Sequence, residues 1–241
     1  MSDQRTFDII EFTGQDRQYY GDSIYIPDIL LATGKYVKAS EVAISLGHSR
    51  YGGPVVDLPP GVDYPAGLRF AAQLDLAFFA PHDKSGLLPR TGQLLFFADI
   101  LTEVGQVFYT EVPNDQLVRV VREHEEDFFA GVLIDYAFAT TESLASRYRE
   151  PEDEEEVSEA NADGKLWDYF AGSERSKIFG IYTNCQLQEE EILAIAESDH
   201  ILLLQVGEGN FNDEGVFSVL IPEEALRNRD FNACSFTWAQ S

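Results

Sequence analysis

The chain has 241 residues, 44% of them hydrophobic, so it can bury a sizeable core and is excluded from the disordered class. Its 42 acidic residues against 17 basic ones give a formal net charge of −25, which disfavours nucleic acids and anionic membranes as partners. Such a charge attracts basic proteins or cations, or it serves only solubility. Two cysteines, with no apolar run long enough for a signal peptide or a membrane span, predict a cytoplasmic protein with reduced thiols.

Short strands are predicted in chain order along the first half. They cover residues 7–12 and 24–31 (each a strand or a connector), 35–46, 70–79, 93–100, 106–112, 117–122 and 132–140. Pro27 argues against a central place for the second segment, and Asp75 interrupts the fourth. Turn residues at 113–115 predict that the two flanking strands pair as a hairpin. The last strand is expected to place four apolar side chains on one face: Val132, Ile134, Tyr136 and Phe138.

An acidic segment, residues 150–163, has eight acids and no bases and predicts a solvated loop. It separates two similar halves, about 36–141 and 164–241, of a single domain that spans residues 1–241. The second half is predicted to contain a helix over 187–196, strands over 200–206 and 216–221, a short helix over 222–227 and a final strand over 230–238. Because strands dominate, the predicted fold class is α+β, with mostly antiparallel sheets and a few short helices.

One pattern of residues occurs in both halves. Its first copy comprises Ser49–Gly53, Phe70–Asp75 and Gly92–Phe97, and its second comprises Ser176–Gly180, Leu202–Gly207 and Gly215–Leu220. Each copy runs Ser-basic-apolar-x-Gly, then an apolar strand that ends in Gln, then a Gly that opens another apolar strand. The pattern predicts an internal pseudo-duplication of a scaffold built from sheets.

Blocks in both copies resemble a known family. They are Gly52–Pro54, Leu58–Gly61, Phe70–Leu76, Gly86–Pro89, Gly92–Phe97, Leu202–Val206, Asp213–Phe217, Ile221–Pro222 and Leu226–Phe231. In this order, over about residues 47–241, they resemble the YwqG-like family of bacterial proteins of unknown function. The resemblance implies an α+β fold with internal duplication, a cytoplasmic location and no established catalytic residues, and some members are suspected of roles near toxin and immunity systems. The chain departs from the family at Phe179, where a paired glycine is usual, and at Phe211-Asn212, where Trp-Gly is common.

Common catalytic and cofactor motifs are absent from the sequence. It contains no nucleophile elbow, phosphate-binding loop or dinucleotide fingerprint. Asn210–Gly215 resembles the opening of a calcium loop, but Ile221 stands where a bidentate Glu is required. The four histidines share no short metal-binding spacing: His48, His82, His124 and His200. We therefore predict no catalytic residues, no metal and no cofactor.

Matching polar residues in the two copies are the candidate binding residues. Arg50 matches Lys177, and Gln73 matches Gln205. The two cations could face each other across a pseudo-twofold axis and hold an anionic ligand or a carboxylate of the same chain. Alternatively, the four residues satisfy backbone groups at strand ends. Asp213, in a C-terminal family block, is added as a candidate partner-binding residue.

These observations predict a non-enzymatic, immunity-like protein-binding module whose partner is a protein with a basic surface, such as a toxin-like effector. The alternative is an enzyme or small-ligand protein with a site between the two halves, which would use Arg50, Lys177 and nearby carboxylates. A deep cleft that contains buried acids with shifted pKa values would favour an enzyme. A filled core under a flat acidic face would favour the binding module. A structural or oligomeric subunit is the third possibility.

Overall fold

Two six-stranded antiparallel sheets dominate the computed structural model, which describes residues 5–14, 18–19, 24–26, 35–37, 44–53, 55–99, 102–121, 131–143, 175–184, 187, 189–207 and 215–239. Sheet I contains, in spatial order, β2 (Gln18–Tyr19), β11 (Gly131–Leu133), β5 (Arg50–Tyr51), β7 (Arg69–Asp75), β8 (Gln93–Asp99) and β9 (Val104–Thr110). Sheet II contains β12 (Tyr136–Ser143), β1 (Thr6–Thr13), β13 (Lys177–Ile178), β14 (His200–Val206), β15 (Val216–Pro222) and β16 (Ser235–Ala239).

Smaller elements complete the described structure. Two further antiparallel pairs join β6 (Val55–Leu58) to β10 (Val118–Val121), and β3 (Ile24–Ile26) to β4 (Lys35–Val37). The helices are α1 (Leu76–Phe79), α2 (Glu189–Ala196) and α3 (Glu223–Arg227), with 3-10 turns at Ala80–His82, Asn114–Gln116 and Phe231–Ala233. This arrangement confirms the predicted α+β class with mostly antiparallel sheets. Within the described ranges, every helix is too short or too polar to cross a membrane.

The alternation of apolar side chains on β8 shows how the layers are stacked. Leu94 and Phe96 point into a core shared by both sheets, whereas Leu95 and Phe97 pack under the β6–β10 ribbon. On the far side of sheet II, Leu202 packs in a separate cluster against α2. The order of layers is therefore ribbon, sheet I, shared core, sheet II and helix α2. Both faces of the central strands are covered, which explains why their sequences are apolar almost throughout.

The strands that carry the repeated pattern have the same register in the two sheets. Arg50 on β5 lies opposite Gln73 on β7, and Lys177 on β13 lies opposite Gln205 on β14. In each sheet the Gln-bearing strand also has a register shift just before the Gln, between residues 70 and 72 and between residues 202 and 204. This correspondence supports the internal duplication, which stays a prediction.

Two pairs of consecutive strands are divided between the sheets, with one strand of each pair in sheet I and the other in sheet II. β1 lies inside sheet II next to β13, whereas β2, which follows it in the chain, lies in sheet I. In the same way, β11 lies in sheet I next to β5, and β12 lies in sheet II. Each sheet therefore obtains the neighbour of its cation-bearing strand from a distant part of the sequence.

Three predictions about local structure are wrong. The strand predicted over residues 70–79 ends at Asp75, and residues 76–79 form helix α1. β9 pairs with β8 and β10 pairs with β6, so the strands around residues 113–115 do not form a hairpin with each other. The predicted strand 132–140 is two strands, β11 and β12, and Tyr136 is 55% exposed instead of sharing a buried face with Val132. The turn and alternation signals come from neighbouring residues, whereas the pairing of strands depends on segments that are far apart in the sequence.

Candidate functional site

Arg50 is fully buried in sheet I and is held by a carboxylate of its own chain. Its side chain is 0% exposed, and its Nη2 lies 2.7 Å from Oδ2 of Asp57. The same guanidinium donates from Nη2 to Oε1 of Gln73 (2.9 Å) and from Nε and Nη1 to two backbone carbonyls, those of Val55 and His48. The planar fork of arginine is suited to such multiple, fixed acceptors.

Asp57, on β6, joins a second arginine to this pair. Its Oδ1 accepts from Nε of Arg119 at 2.8 Å, and its Oδ2 accepts from Nη2 of Arg119 at 3.1 Å and from the backbone N–H of Gly47 at 2.9 Å. Burial by itself would raise the pKa of Asp57, but the charges and hydrogen bonds of Arg50 and Arg119 outweigh it and hold that pKa below its ordinary value. Asp57 therefore remains ionised inside the fold.

Gln73 extends this cluster across three strands. Its Oε1 also accepts from the backbone N–H of Asp57 (3.0 Å), and its Nε2 donates to Oε1 of Gln93 on β8 (3.1 Å). Gln93 in turn donates to Oδ1 of Asn114 (2.8 Å), and Asn114 donates to Oδ2 of Asp75 (2.9 Å). The amides thus satisfy one another in a buried network, which fixes the relative positions of the strands.

Lys177 has the corresponding position in sheet II and is also fully buried. Its Nζ donates to Oε1 and Oε2 of Glu142 on β12 (2.7 and 2.8 Å) and to the backbone carbonyl of Ile181 (2.8 Å). The backbone N–H of Ile181 donates to Oε1 of Glu142 as well. The three acceptors match the three N–H groups of a lysine ammonium. Lys177 therefore links β13 to β12, which lie on opposite sides of β1.

The remaining candidate residues are separate from these pairs or outside the described structure. Gln205 is buried and donates from Nε2 to the carbonyl of Arg175 at 2.9 Å, and its role stays a prediction. Asp213 lies outside the described residues, as do the acidic segment 150–163 and His124. Arg50 and Lys177 each bind a carboxylate of the same chain, and a ligand-binding role for either one stays a prediction.

The turn after each buried cation contains two successive residues with positive φ angles in both sheets. Gly52 and Gly53 have φ angles of +62° and +77°, and Phe179 and Gly180 have φ angles of +67° and +89°. Phe179 thus adopts a left-handed conformation that costs a residue with a side chain roughly 1–2 kcal/mol. Phe179 has a positive φ like Gly52 in sheet I, and its side chain, which is only 7% exposed, packs in the shared core.

Replacing Gly180 by alanine is expected to destabilise the protein more than the same change at Gly61. Both glycines have positive φ angles, +89° and +80°. A Cβ at Gly180 would collide with Oε1 of Glu142 and with Ile9, whereas a Cβ at Gly61 meets nothing within 4 Å. We expect a loss of about 1 kcal/mol at Gly61 from backbone strain alone and at least about 2 kcal/mol more at Gly180. Urea unfolding of both variants measures the difference, and equal losses would contradict the contact with Glu142.

A cleft of about 370 Å³ opens beside this turn. Its walls are the first residues of β1, the loop 82–87, the end of α2 and the start of β14, and its floor includes Phe179 and Leu202. The loop belongs to the first predicted half, and α2 and β14 belong to the second. The buried acid whose pKa is lowered, Asp57, does not line this cleft.

A family comparison matches most of the chain. Residues 49–239 match the family described as "Domain of unknown function (DUF1963)". The chain belongs to this family. A comparison with curated proteins found none that matches it. The DUF1963 region begins one residue before Arg50 and ends with the last residue of β16, so it includes both buried cations and both Gln-bearing strands.

One central strand lies outside the DUF1963 region. β1 (Thr6–Thr13) precedes Ser49, yet it pairs with β12 on one side and with β13 on the other, where Glu11 lies opposite Lys177. Ile10 and Phe12 on this strand are buried in the shared core. Sheet II of this DUF1963 protein is therefore completed by residues before the matched region.

The described part of the DUF1963 protein offers neither a metal site nor a reactive thiol. Nowhere in the described ranges do three or more His, Cys, Asp or Glu side chains come together as a metal site. Cys234 is a free thiol, and burial raises its pKa to about 12, so it is protonated at neutral pH and a poor nucleophile. Cys185 lies outside the described residues.

Sequence reasoning missed the side chains that surround the predicted cations, which are two acids, two amides and a second arginine. They are Asp57, Gln93, Asn114, Arg119 and Glu142. Asp57 offered a signal, because it is an acid inside a short apolar run, Val55–Leu58, that is wholly buried. Glu142 offered none, since it ends an alternating strand where an exposed acid is ordinary.

Proposed function

We propose that this DUF1963 protein is a non-enzymatic, cytoplasmic binding module of the YwqG-like type, whose partner is a protein with a basic surface. An immunity-like role, in which the acidic face covers a basic effector, is part of the proposal. The whole chain would act as a single domain of two similar halves. The proposal rests on charge and on where the cations lie.

The observation that carries the proposal is the charge of the chain between Lys177 and Arg227. Residues 178–226 contain ten acidic side chains and neither lysine nor arginine. Lys177 itself is fully buried against Glu142, so it offers no positive charge to the surface there. Arg5 pairs with Glu197 at 3.1 Å and offsets part of this charge. The remaining negative charge attracts basic partners and accelerates their association.

Helix α2 presents part of this charge to solvent. Ile192 is buried beneath the helix and Ile195 is packed against sheet II, whereas Glu190 and Glu191 are exposed. Asp199, just after the helix, is exposed as well. A rigid helix over a sheet holds these carboxylates at fixed spacing, which favours recognition of a defined basic surface over loose counterion binding.

The proposal is tested by affinity capture from a lysate of the source cell at low and at high salt, with bound proteins identified. We expect one dominant basic partner whose capture falls as salt rises, because exposed charges are screened. A Glu190→Lys/Glu191→Lys variant should lose the partner. The matched control, Asp63→Lys/Asp115→Lys, adds the same charge at exposed acids elsewhere and should keep it. Capture that is absent at both salt concentrations, or unchanged in the α2 variant, would overturn the proposal.

A further inference from the structure

The cleft between the loop 82–87 and α2 has the composition of a small-molecule site. Its floor and lower walls are apolar, with Ile9, Phe179, Leu202 and Leu220 buried, and its rim is polar. Its volume of about 370 Å³ lies within the range of natural ligand pockets, roughly 300–1,000 Å³. Such a site accepts a molecule with an apolar body and a polar end.

The rim contains one pair of opposite charges. Nζ of Lys84 lies 2.8 Å from Oδ1 of Asp8, and the two side chains are 54% and 52% exposed. An ion pair exposed to this extent contributes little to stability, so a ligand can separate its members at small cost. Once separated, the two groups offer one site for an ammonium and one for a carboxylate.

The loop that carries Lys84 is held in place by Asp83. Oδ1 of Asp83 accepts from the backbone N–H groups of Ser85 (2.8 Å) and Gly86 (3.1 Å), and Oδ2 accepts from that of Leu88 (2.8 Å). The carboxylate of Asp83 is therefore engaged by the loop. A fixed loop positions the base of the Lys84 side chain before a ligand arrives, which lowers the entropic cost of binding.

The cleft floor contains one of the three described residues other than glycine that have a positive φ angle, the other two being Glu103 and Arg229. Phe179 has a φ angle of +67°, in a turn where the corresponding residue of sheet I is Gly52. Strained residues of this kind concentrate at functional sites, where the surrounding structure holds them. The aromatic residue at this point gives the cleft part of its apolar floor, which a glycine would not provide.

The net charge of the protein bears on which class of ligand the cleft would bind. A net charge of −25 repels a simple anion from the surface and attracts any cation without regard to its shape. A zwitterion is neutral overall, and it alone uses both Asp8 and Lys84. We propose that this cleft binds a small zwitterion with an apolar side chain, of the size of an amino acid or a dipeptide, with its ammonium on Asp8 and its carboxylate on Lys84.

Isothermal titration calorimetry of the full chain tests the proposal with L-phenylalanine and L-leucyl-L-leucine as zwitterionic probes. Phenylethylamine, 3-phenylpropionate and N-acetyl-L-phenylalaninamide lack one or both charges and serve as matched analogues. We expect the better zwitterion to bind about tenfold more tightly than any analogue. If neither zwitterion binds, or if phenylethylamine binds as tightly as both, the proposal is overturned.

Variants of the rim pair locate the binding. Asp8→Asn and Lys84→Met should each weaken the zwitterion about tenfold and leave the binding of the uncharged amide unchanged. The matched control is the exposed pair Glu223–Arg227 on α3, where Glu223→Gln and Arg227→Met should change nothing. Equal affinities in all four variants would place the binding elsewhere and overturn the assignment. The rim variants leave the acidic residues of α2 intact, so capture of a basic protein should persist in them.

Discussion

Replacing Asp57 by asparagine is expected to lower the free energy of unfolding by about 3–5 kcal/mol, although the two side chains have nearly the same shape. Asp57 is 0% exposed and accepts from Arg50, Arg119 and the N–H of Gly47. In the variant, Arg50 would keep its charge in the core without a counter-charge, and the new amide N–H groups would meet guanidinium donors. Urea unfolding at pH 7 measures the loss.

The matched control for this change is Glu223→Gln, which also removes one carboxylate from an arginine pair. Glu223 and Arg227 are 45% and 59% exposed, so we expect a change within about 0.5 kcal/mol. Losses of equal size in the two variants would show that burial of Arg50 does not make its charge costly. In that case the ionic cluster would not be what stabilises sheet I.

The same carboxylate makes stability depend on pH. Because the pKa of Asp57 in the folded protein lies below its ordinary value of 3.8, the unfolded chain takes up a proton there more readily than the folded one. The stabilisation is therefore complete well above pH 3.8 and is lost as the pH falls through this value towards the lower folded pKa. Unfolding of the parent protein at pH 6 and pH 3 should differ by more than that of Asp57→Asn. Identical differences would contradict the lowered pKa.

Replacing Lys177 by methionine is also expected to cost about 3–5 kcal/mol. The ammonium is 0% exposed and donates to both carboxylate oxygens of Glu142, whose side chain is 8% exposed. Methionine fills a similar space but leaves the carboxylate without a counter-charge in the core. The loss is measured by urea unfolding, with Lys84→Met as the control, since its pair with Asp8 is half exposed and should contribute at most about 1 kcal/mol.

A second variant separates charge from packing at this site. In Lys177→Met/Glu142→Gln both charges are gone, and the glutamine can keep an oxygen that accepts from the N–H of Ile181. We expect its stability to recover to within about 2 kcal/mol of the parent, because removal of both partners of a buried pair costs far less than removal of one. A double variant as unstable as the sum of its single changes would show that the pair acts through packing instead.

Much of the strand content follows from local pattern. The run Gln93–Asp99 is apolar almost throughout, and it is a central strand with both faces covered. The acid-rich start and apolar stripe near residues 187–196 correspond to helix α2. Asp75, which the sequence predicts to interrupt a strand, is the last residue of β7, and its side chain accepts from the N–H of Ala77 at the start of α1. Each of these signals depends only on residues that are close together in the sequence.

The residues of the candidate site were harder to predict from the sequence. Arg50 and Lys177 were singled out because they match in the two copies, and both are fully buried. Their counter-charges follow no shared spacing: Asp57 is seven positions after Arg50, whereas Glu142 is 35 positions before Lys177. No pattern in the chain distinguishes Glu142 from the many other acids of the sequence. The cleft could not be predicted from the sequence either, because Asp8 and Lys84, which form an ion pair at its rim, are 76 residues apart in the chain.

The sequence by itself determined the strand-rich α+β class, the strongly acidic surface and the matching positions of Arg50 and Lys177, because periodicity, charge and repeated residues are local properties. Only the tertiary structure decided that β1 completes sheet II, that β10 covers sheet I, and which carboxylate neutralises each cation. A strand's alternation says which of its faces is apolar, but any other apolar face could cover it. The choice is made when all layers are buried together, since a buried charge is stable only where the whole fold brings its partner within reach.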